Sequence, residues 1–273
     1  MLQDISPAVY NNTYSSEKPR LQDICFMFDR DTVLVKRAGN SLEFPTYGML
    51  SSRVERFSYL FRINDINYFL VNHSDISRYG YKFINIRELR TCAPKESVFA
   101  LMTAYHLHTW YSNNRFCGRC GKLMHHNENM RALDCECGNQ VFPQIAPAVI
   151  VAVLNDDKIL LTKYKGRAYK NYALIAGFAE IGETLEDTVA REVMEETGLR
   201  VKRIRYYASQ PWGVDSNLLM GFFARLDGSP DIELEEDELS EAGWFRRGEI
   251  DMVSDGVSLT GEMIQAFKDG YNG

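Results

Sequence analysis

Short apolar runs alternate with turn residues along the first third of the chain. The runs are Asp23–Phe28, Thr32–Lys36, Tyr59–Ile63 and Tyr68–Val71. Short runs rich in aromatic and aliphatic residues between turns are typical of strands. Residues 1–96 are therefore predicted to form a mostly β domain. We find no catalytic motif in this part and interpret it as a scaffold or dimerisation domain.

The spacing of apolar residues becomes that of a helix in the next segment. From Ser97 to about Asn113, apolar residues recur at three- and four-residue spacings, which predicts a helix. His106 and His108 fall on this helix, and we interpret them as packing or surface residues rather than metal ligands. The helix is predicted to lead into the next module, and together they make up residues 97–144.

Residues 145–273 combine strand and helix patterns. Ala148–Leu154 is a continuous apolar run, which indicates a strand that is buried on both faces. Lys158–Thr162 is expected to pair with it across a polar turn. Further elements are predicted at Tyr172–Ala176, Arg203–Ser209, Leu218–Leu226 and, as an amphipathic helix, Gly261–Tyr271. This order predicts an α/β domain with a mixed sheet.

One helix in this domain carries three glutamates on one side. Thr184 predicts the start of the helix and Gly198 predicts its end. Glu192, Glu195 and Glu196 stand at positions i, i+3 and i+4, so their carboxylates converge. Such like charges repel, and a hard divalent cation, Mg²⁺ or Mn²⁺, would neutralise them. The alternative is a solvated acidic face, which the ordered Gly, Arg and Glu residues around the three carboxylates disfavour.

Four cysteines are clustered in residues 117–137. Cys117 and Cys120 are separated by two residues, a spacing that lets two thiolates bind one Zn²⁺. Cys135 and Cys137 are separated by only one residue, so the second half-site is one residue short of the usual spacing. The sequence predicts a four-thiolate zinc site.

Two other arrangements of this module stay open. His125 or His126 could replace one of the thiolates, or the segment could fold as a degenerate ribbon without metal. The C-x-C spacing is the reason for keeping both alternatives.

Composition supports a soluble enzyme. The chain has 273 residues, of which 45% are hydrophobic and 25% charged, with a net charge of −6. The acidic balance argues against a dedicated nucleic-acid binder. No apolar stretch reaches the ~18 residues that a membrane span needs, and we see no signal peptide. We therefore expect a cytoplasmic protein without a membrane partner, whose cysteines are free or metal-bound.

Residues 177–199 fit every fixed position of the Nudix box, G-x5-E-x7-R-E-U-x-E-E-x-G-U, where U is aliphatic. The cysteine module lies directly upstream, joined by Phe142–Pro147, and Ser209–Trp212 reads SQPW downstream. In this combination the chain resembles the NudC-type NAD(H) pyrophosphatases over about residues 97–273. The nine box positions are Gly177, Glu183, Arg191, Glu192, Val193, Glu195, Glu196, Gly198 and Leu199.

The resemblance implies an α/β/α Nudix sandwich that hydrolyses NAD⁺ or NADH to AMP and NMN or NMNH. It also implies removal of NAD caps from RNA, a homodimer, catalytic Mg²⁺ or Mn²⁺, and one structural Zn²⁺ per chain. The implied ligands of the catalytic metal are Glu192, Glu195, Glu196 and Glu238. The implied substrate contacts are Phe142, Phe178, Gln210, Trp212, Glu241 and Thr260.

The chain departs from the family pattern after Trp212. The family carries S-Q-P-W-P-F-P-x-S, whereas here Gly213, Val214 and Asp215 replace P-F-P. We expect Gly213 to add flexibility, and Asp215 to add a negative charge that favours the cationic nicotinamide of NAD⁺. The alternatives are hydrolysis of ADP-ribose or another dinucleotide, and a nucleotide-binding regulator without turnover. A binding module has no need of three carboxylates, which disfavours the regulator.

Overall fold

The computed structural model describes residues 1–50, 54, 56–71, 80–165, 172–234 and 239–273. The chain divides into two compact units. The C-terminal unit comprises Met1, residues 146–211 and residues 217–273, and the N-terminal unit comprises residues 2–145 and Trp212–Ser216. The chain thus returns to the N-terminal unit for five residues after a long strand. The sequence-based boundaries near residues 96 and 144 stay predictions.

The first part of the N-terminal unit is mostly β, as predicted. One mixed sheet, with antiparallel and parallel pairs, has the strand order β1-β6-β7-β2. A second sheet pairs β4 with β3, β5 and β8. Buried side chains, among them Cys25, Tyr59 and Phe69, form the core of this part of the unit. The elements are β1 (Tyr10–Asn11), β2 (Ile24–Phe26), β3 (Phe28–Asp29), β4 (Thr32–Ala38), β5 (Ser41–Glu43), α1 (Tyr47–Leu50), β6 (Phe57–Ile63), β7 (Ile66–Val71), β8 (Lys82–Asn85) and a 3₁₀ turn (Ile86–Leu89).

The same unit contains the predicted helix and the cysteine module. The helix is α2 (Lys95–Asn113), and the module is a three-stranded antiparallel sheet of β9 (His125–His126), β10 (Leu133–Asp134) and β11 (Gln140–Val141). Trp110 near the end of α2 packs in one cluster with Cys117 and Cys135. The cysteine module is therefore anchored to the last turns of α2.

The C-terminal unit is built on a mixed six-stranded sheet. Its strand order is β15-β16-β12-β13-β17, with β14 paired to β12 and with β12 and β16 parallel. No helix among the described residues is long and apolar enough to cross a membrane. The elements are β12 (Ala146–Asn155), β13 (Lys158–Tyr164), β14 (Ile175–Phe178), α3 (Leu185–Thr197), β15 (Val201–Trp212), β16 (Asn217–Leu226), β17 (Leu239–Arg246), a 3₁₀ turn (Arg247–Glu249) and α4 (Leu259–Lys268).

Alternation along β12 explains the layers. Val149, Val151 and Val153 pack in the cluster that contains Val189 and Val193 of α3. The residues between them, Ile150, Ala152 and Leu154, pack on the other face with Met263, Ile264 and Phe267 of α4. Each fully buried aliphatic side chain contributes roughly 1.5–3 kcal/mol. The α/β/α sandwich predicted from the sequence is confirmed.

Local signals set the ends of both helices. The Thr184 hydroxyl accepts a 3.1 Å hydrogen bond from the Asp187 amide, and Gly198 ends α3 in the left-handed conformation, with φ of 69°. Helix α4 begins two residues earlier than predicted because the Ser258 side chain caps it, accepting from the Gly261 amide. It ends at Lys268, before Gly270 with φ of 106°.

Candidate active site

Strand β14 brings Gly177 against the glutamate face of α3. Gly177 pairs with Val149 of β12, which fixes its position in the sheet. A Cβ atom on Gly177 would lie 1.9 Å from Cδ of Glu192. Only glycine leaves room for this carboxylate, which explains the first position of the box.

Arg191 is the centre of the charged network on this face. Its Nε donates to Glu183 Oε1 at 2.6 Å and its Nη2 donates to Glu183 Oε2 at 2.9 Å, a bidentate pair. Its Nη1 donates to Glu192 at 2.7 Å and to Glu195 at 3.0 Å. Nη2 also donates to the Phe178 carbonyl at 2.9 Å, which ties the network to the end of β14.

Glu183 anchors Arg191. Hydrogen bonds from Arg191, from the Glu180 amide and from the Thr188 hydroxyl lower the pKa of the Glu183 carboxyl to about 2. The same pairing raises the pKa of the Arg191 guanidinium. Both groups are therefore charged at neutral pH, and Arg191 is held in one orientation.

The three predicted metal ligands differ in burial. The Glu192 and Glu195 side chains are 13% and 53% exposed, and Glu196 is 1% exposed between α3 and the sheet. Nη1 of Arg191 donates to both Glu192 Oε1 and Glu195 Oε2, so one oxygen of each carboxylate lies beside this nitrogen. Oxygen donors on one arc of a helix, next to a glycine that leaves space, are a donor set that a hard divalent cation takes. Glu238, the fourth predicted ligand, lies outside the described residues.

The four cysteines come together in the N-terminal unit. The Sγ atoms of Cys117 and Cys137 are 3.7 Å apart and those of Cys120 and Cys135 are 3.4 Å apart, with all four within 4.8 Å of one another. Tetrahedral zinc with Zn–S bonds of about 2.3 Å places sulfurs about 3.8 Å apart. The geometry fits a four-thiolate zinc site and favours it over replacement of a cysteine by His125 or His126. Among the described residues, no other group of three or more His, Cys, Asp or Glu ligand atoms is as close.

Two glycine turns accommodate the unequal cysteine spacings. Gly121 (φ 74°) donates its amide to the Cys117 carbonyl four residues back, and Gly138 (φ 82°) donates to the Cys135 carbonyl three residues back. The second turn is one residue tighter, which matches the missing residue of C-x-C. Burial opposes the Cys117 thiolate, but hydrogen bonds, chiefly from the Arg119 and Cys120 amides, lower the pKa of this thiol to about 6.

Several predicted substrate contacts lie on the surface of their own unit. Phe142 is 52% exposed and Phe178 is 53% exposed, although large aromatic side chains are usually buried. Thr260 is half-buried in the first turn of α4. Each of these side chains is accessible to a ligand.

Gln210 lies in the interior of the C-terminal unit. Its side chain is fully buried; the amide nitrogen donates to the Val257 carbonyl at 2.7 Å, and the amide oxygen accepts from the Leu259 amide at 2.7 Å. Both ends of the amide therefore bind the backbone that leads into α4. Gln210 thus positions the start of α4, and its contact with substrate stays a prediction.

The segment after β15 corrects two expectations. A Cβ atom on Gly213 would lie 2.1 Å from the Met102 carbonyl oxygen of α2, so this glycine permits close packing rather than flexibility. Asp215 accepts from Trp212 Nε1 at 3.1 Å and forms an ion pair with Arg87 at 2.5 Å. Its negative charge is thus compensated rather than free.

Glu241 lies on β17 and is already paired. It accepts from Lys163 Nζ at 2.7 Å and from the Tyr172 hydroxyl at 2.9 Å, and these bonds lower the pKa of its carboxyl. Arg87, Lys163 and Tyr172 were missed by the sequence analysis. They are 69 to 128 positions from their partners and stand in no motif, so no local signal could have found them.

Residues 144–267 match the family described as "NUDIX domain". The matched part contains the mixed sheet between α3 and α4. The chain resembles two curated relatives. It is 42% identical over 157 residues to "NAD-capped RNA hydrolase NudC" of Enterobacter sp. (strain 638), covering 57% of this chain and 60% of that protein. Identity to the protein of the same name from Salmonella schwarzengrund (strain CVM19633) is 40%, covering 57% of this chain and 61% of that one.

The chain spans about 60% of the length of the curated relatives it matches. Among solved structures, a Nudix hydrolase from Nitrosomonas europaea has 25% identity and a TM-score of 0.48, covering 57% of this chain and 92% of that chain.

Proposed function

We propose that the protein is a metal-dependent hydrolase that cleaves the pyrophosphate of NAD⁺ or NADH to AMP and NMN or NMNH. The observation that carries the proposal is the glutamate face of α3, where Gly177 leaves room for Glu192 and Arg191 holds Glu183, Glu192 and Glu195. The relatives named NAD-capped RNA hydrolases support the substrate class. NAD-capped RNA is proposed as a second substrate because it presents the same pyrophosphate.

The chain's own residues have distinct roles in this proposal. Glu192, Glu195 and Glu196 would hold Mg²⁺ or Mn²⁺, together with Glu238. When bound, the metal supplies polarisation of a phosphoryl oxygen and a lower pKa of an attacking water. Arg191 orients two of the carboxylates, and Glu183 fixes Arg191.

Substrate binding is proposed for exposed groups on each unit. Phe142 and Phe178 offer ring surface on which adenine can stack. Trp212, Thr260 and Glu241 would contact the dinucleotide. Lys163 and Tyr172 hold the Glu241 carboxylate in place. The four cysteines would hold one structural Zn²⁺, and a homodimer is proposed from the family resemblance.

Product analysis tests the proposal directly. Purified protein is given NAD⁺, NADH, NAD-capped RNA or ADP-ribose, with Mg²⁺ and then with Mn²⁺, and the products are separated by chromatography. We expect AMP and NMN or NMNH from the first two and 5′-monophosphate RNA from the third. Turnover of ADP-ribose alone would replace the proposal by an ADP-ribose hydrolase, and no turnover of any substrate would favour a nucleotide-binding regulator. Sedimentation analysis of the same preparation tests the dimer.

A further inference from the structure

The N-terminal unit contains a cavity that the proposed hydrolase chemistry does not use. Its volume is about 1100 Å³, slightly above the roughly 300–1000 Å³ typical of ligand sites. Residues of the N-terminal strands, of α2 and of the cysteine module line it, and none comes from the Nudix box. We call it the helix–ribbon cavity.

One face of α2 is directed into this cavity. His108, Tyr111 and Ser112 lie at helical spacings i, i+3 and i+4, and Arg115 continues the series at i+7, just beyond the end of the helix. Ala104 and Leu101, one and two turns earlier on the same face, are buried, so this face changes from apolar to polar and aromatic at His108. The end of this face that carries His108, Tyr111, Ser112 and Arg115 lines the cavity instead of the buried core.

Two preformed ring stacks stand in the cavity wall. Tyr111 stacks on His126 with centroids 4.7 Å apart and planes 20° apart, and Phe28 stacks on His108 at 4.8 Å and 28°. Burial lowers the pKa of His108, so this ring is neutral at pH 7. His126 is exposed, which leaves ring surface on which a further planar group can extend the stack.

The charged and polar groups of the wall complement a phosphate-bearing aromatic ligand. Arg56 and Arg115 are exposed and can donate to phosphate oxygens. The exposed Ser112 hydroxyl can bond the edge of a base. Glu17 and Glu128 also line the cavity, so the wall carries little net positive charge. Stacking would therefore contribute more to recognition than charge.

We propose that the helix–ribbon cavity binds a nucleotide unit, with its base stacked on His126 and its phosphate held by Arg115. The unit can come from a free mononucleotide or from a single-stranded RNA. The proposal is independent of the hydrolase reaction, because no residue of the Nudix box takes part.

Fluorescence anisotropy tests the site with a fluorescein-labelled adenosine octanucleotide carrying a 5′-hydroxyl. His126→Ala and Arg115→Ala are each expected to weaken binding about tenfold, the size of a lost base stack or phosphate contact. His125→Ala is the matched control, because His125 is the exposed neighbour in β9 and does not line the cavity. Arg37→Ala controls for loss of an exposed cation elsewhere in the unit.

Competition by AMP distinguishes the two sources of the ligand. If AMP displaces the octanucleotide from the wild type but not from His126→Ala, the cavity is a mononucleotide site. If only longer oligonucleotides displace it, the cavity is a strand-binding site. With two arginines in the wall, the slope of log K against log salt is expected at about −1.4 or shallower. Variants that bind like the wild type, a wild type that does not bind, or a much steeper slope would overturn the proposal. NADH turnover, measured separately, is expected to be unchanged in all four variants, so failure of the hydrolase assignment would be seen independently.

Discussion

The carboxylates of Glu192, Glu195 and Glu196 on α3, and of Glu183 just before it, each have their own electrostatic environment. Glu183 is fixed by a bidentate arginine, Glu195 is half exposed, and Glu196 is buried with 1% exposure. A carboxylate in the interior is costly unless it is compensated, whereas an exposed one is solvated. Substitutions of these residues should therefore separate effects on turnover from effects on stability.

Glu196→Gln is expected to lower kcat about 10²-fold or more, on the scale of removing one preorganised electrostatic group. Its melting temperature without added metal should be unchanged or higher, because a neutral amide is cheaper to bury than a carboxylate. Glu186→Gln, on the exposed first turn of α3, is the control. Steady-state kinetics on NADH and thermal melting measure both effects, and near-normal turnover of Glu196→Gln would end its assignment as a metal ligand.

The pairing of Glu183 with Arg191 predicts a stability effect that depends on pH. The pKa of this carboxyl falls from its ordinary 4.5 to about 2 on folding, so its contribution is fully present above pH 4.5 and is lost as the pH falls toward 2. We expect Glu183→Gln to be less stable than the wild type at pH 6, with the difference shrinking below pH 4.5. Urea unfolding between pH 6 and 2.5 measures it. A difference that grows with acid would contradict the pairing.

Asp215 is expected to have only a small effect on selectivity. Arg87 and Trp212 engage both of its carboxylate oxygens, and the ion pair is exposed, with 61% and 41% of the two side chains accessible. Such pairs contribute about 0–1 kcal/mol. Asp215→Asn should therefore change the ratio of kcat/KM for NADH and NAD⁺ by less than about twofold. A change of tenfold would show that the carboxylate acts on the nicotinamide despite its partners.

At the scale of elements, the sequence predicted what depends on local pattern. The α3 cap at Thr184, its glycine end and the doubly buried strand β12 follow from residues that are neighbours in sequence. Close approach was not predictable in the same way. Gly213 and Met102 lie more than a hundred positions apart, and only their packing shows that this glycine replaces a side chain that would clash. The same holds for Gln210, whose type suggested a ligand contact and whose burial gives it a structural role.

The zinc content of the cysteine module can be predicted from the arrangement of its four cysteines. We expect about one zinc per chain in protein purified without chelator, because the four sulfurs form a single site. Cys117→Ser should lose the zinc and melt at a lower temperature, since zinc binding contributes to folding of such modules. Cys92→Ala, which changes a cysteine outside the cluster, should keep its zinc. Elemental analysis and thermal melting check this, and a wild type without zinc would mean that the module folds as a degenerate ribbon.

At the scale of the whole molecule, the chain passes between the two units three times after Leu2. It crosses near residue 145, leaves the C-terminal unit at Trp212 and re-enters it at Asn217. The Trp212–Ser216 segment lies in the N-terminal unit, where Gly213 packs on α2 and Val214 is 8% exposed. Both ends of this segment continue directly into strands of the six-stranded sheet, and the position of Trp212, a proposed substrate contact, depends on packing within the N-terminal unit.

Gly213→Ala tests that dependence. The added methyl group would lie 2.1 Å from a backbone carbonyl, so the segment must move, at a cost of about 1–3 kcal/mol for overpacking. Because the Nudix box belongs to the other unit, we expect KM for NADH to rise severalfold while kcat changes less than about twofold. Gly248→Ala is the control, since its Cβ would meet nothing within 4 Å. If kcat falls and KM stays constant, the assignment of this segment to substrate binding is wrong.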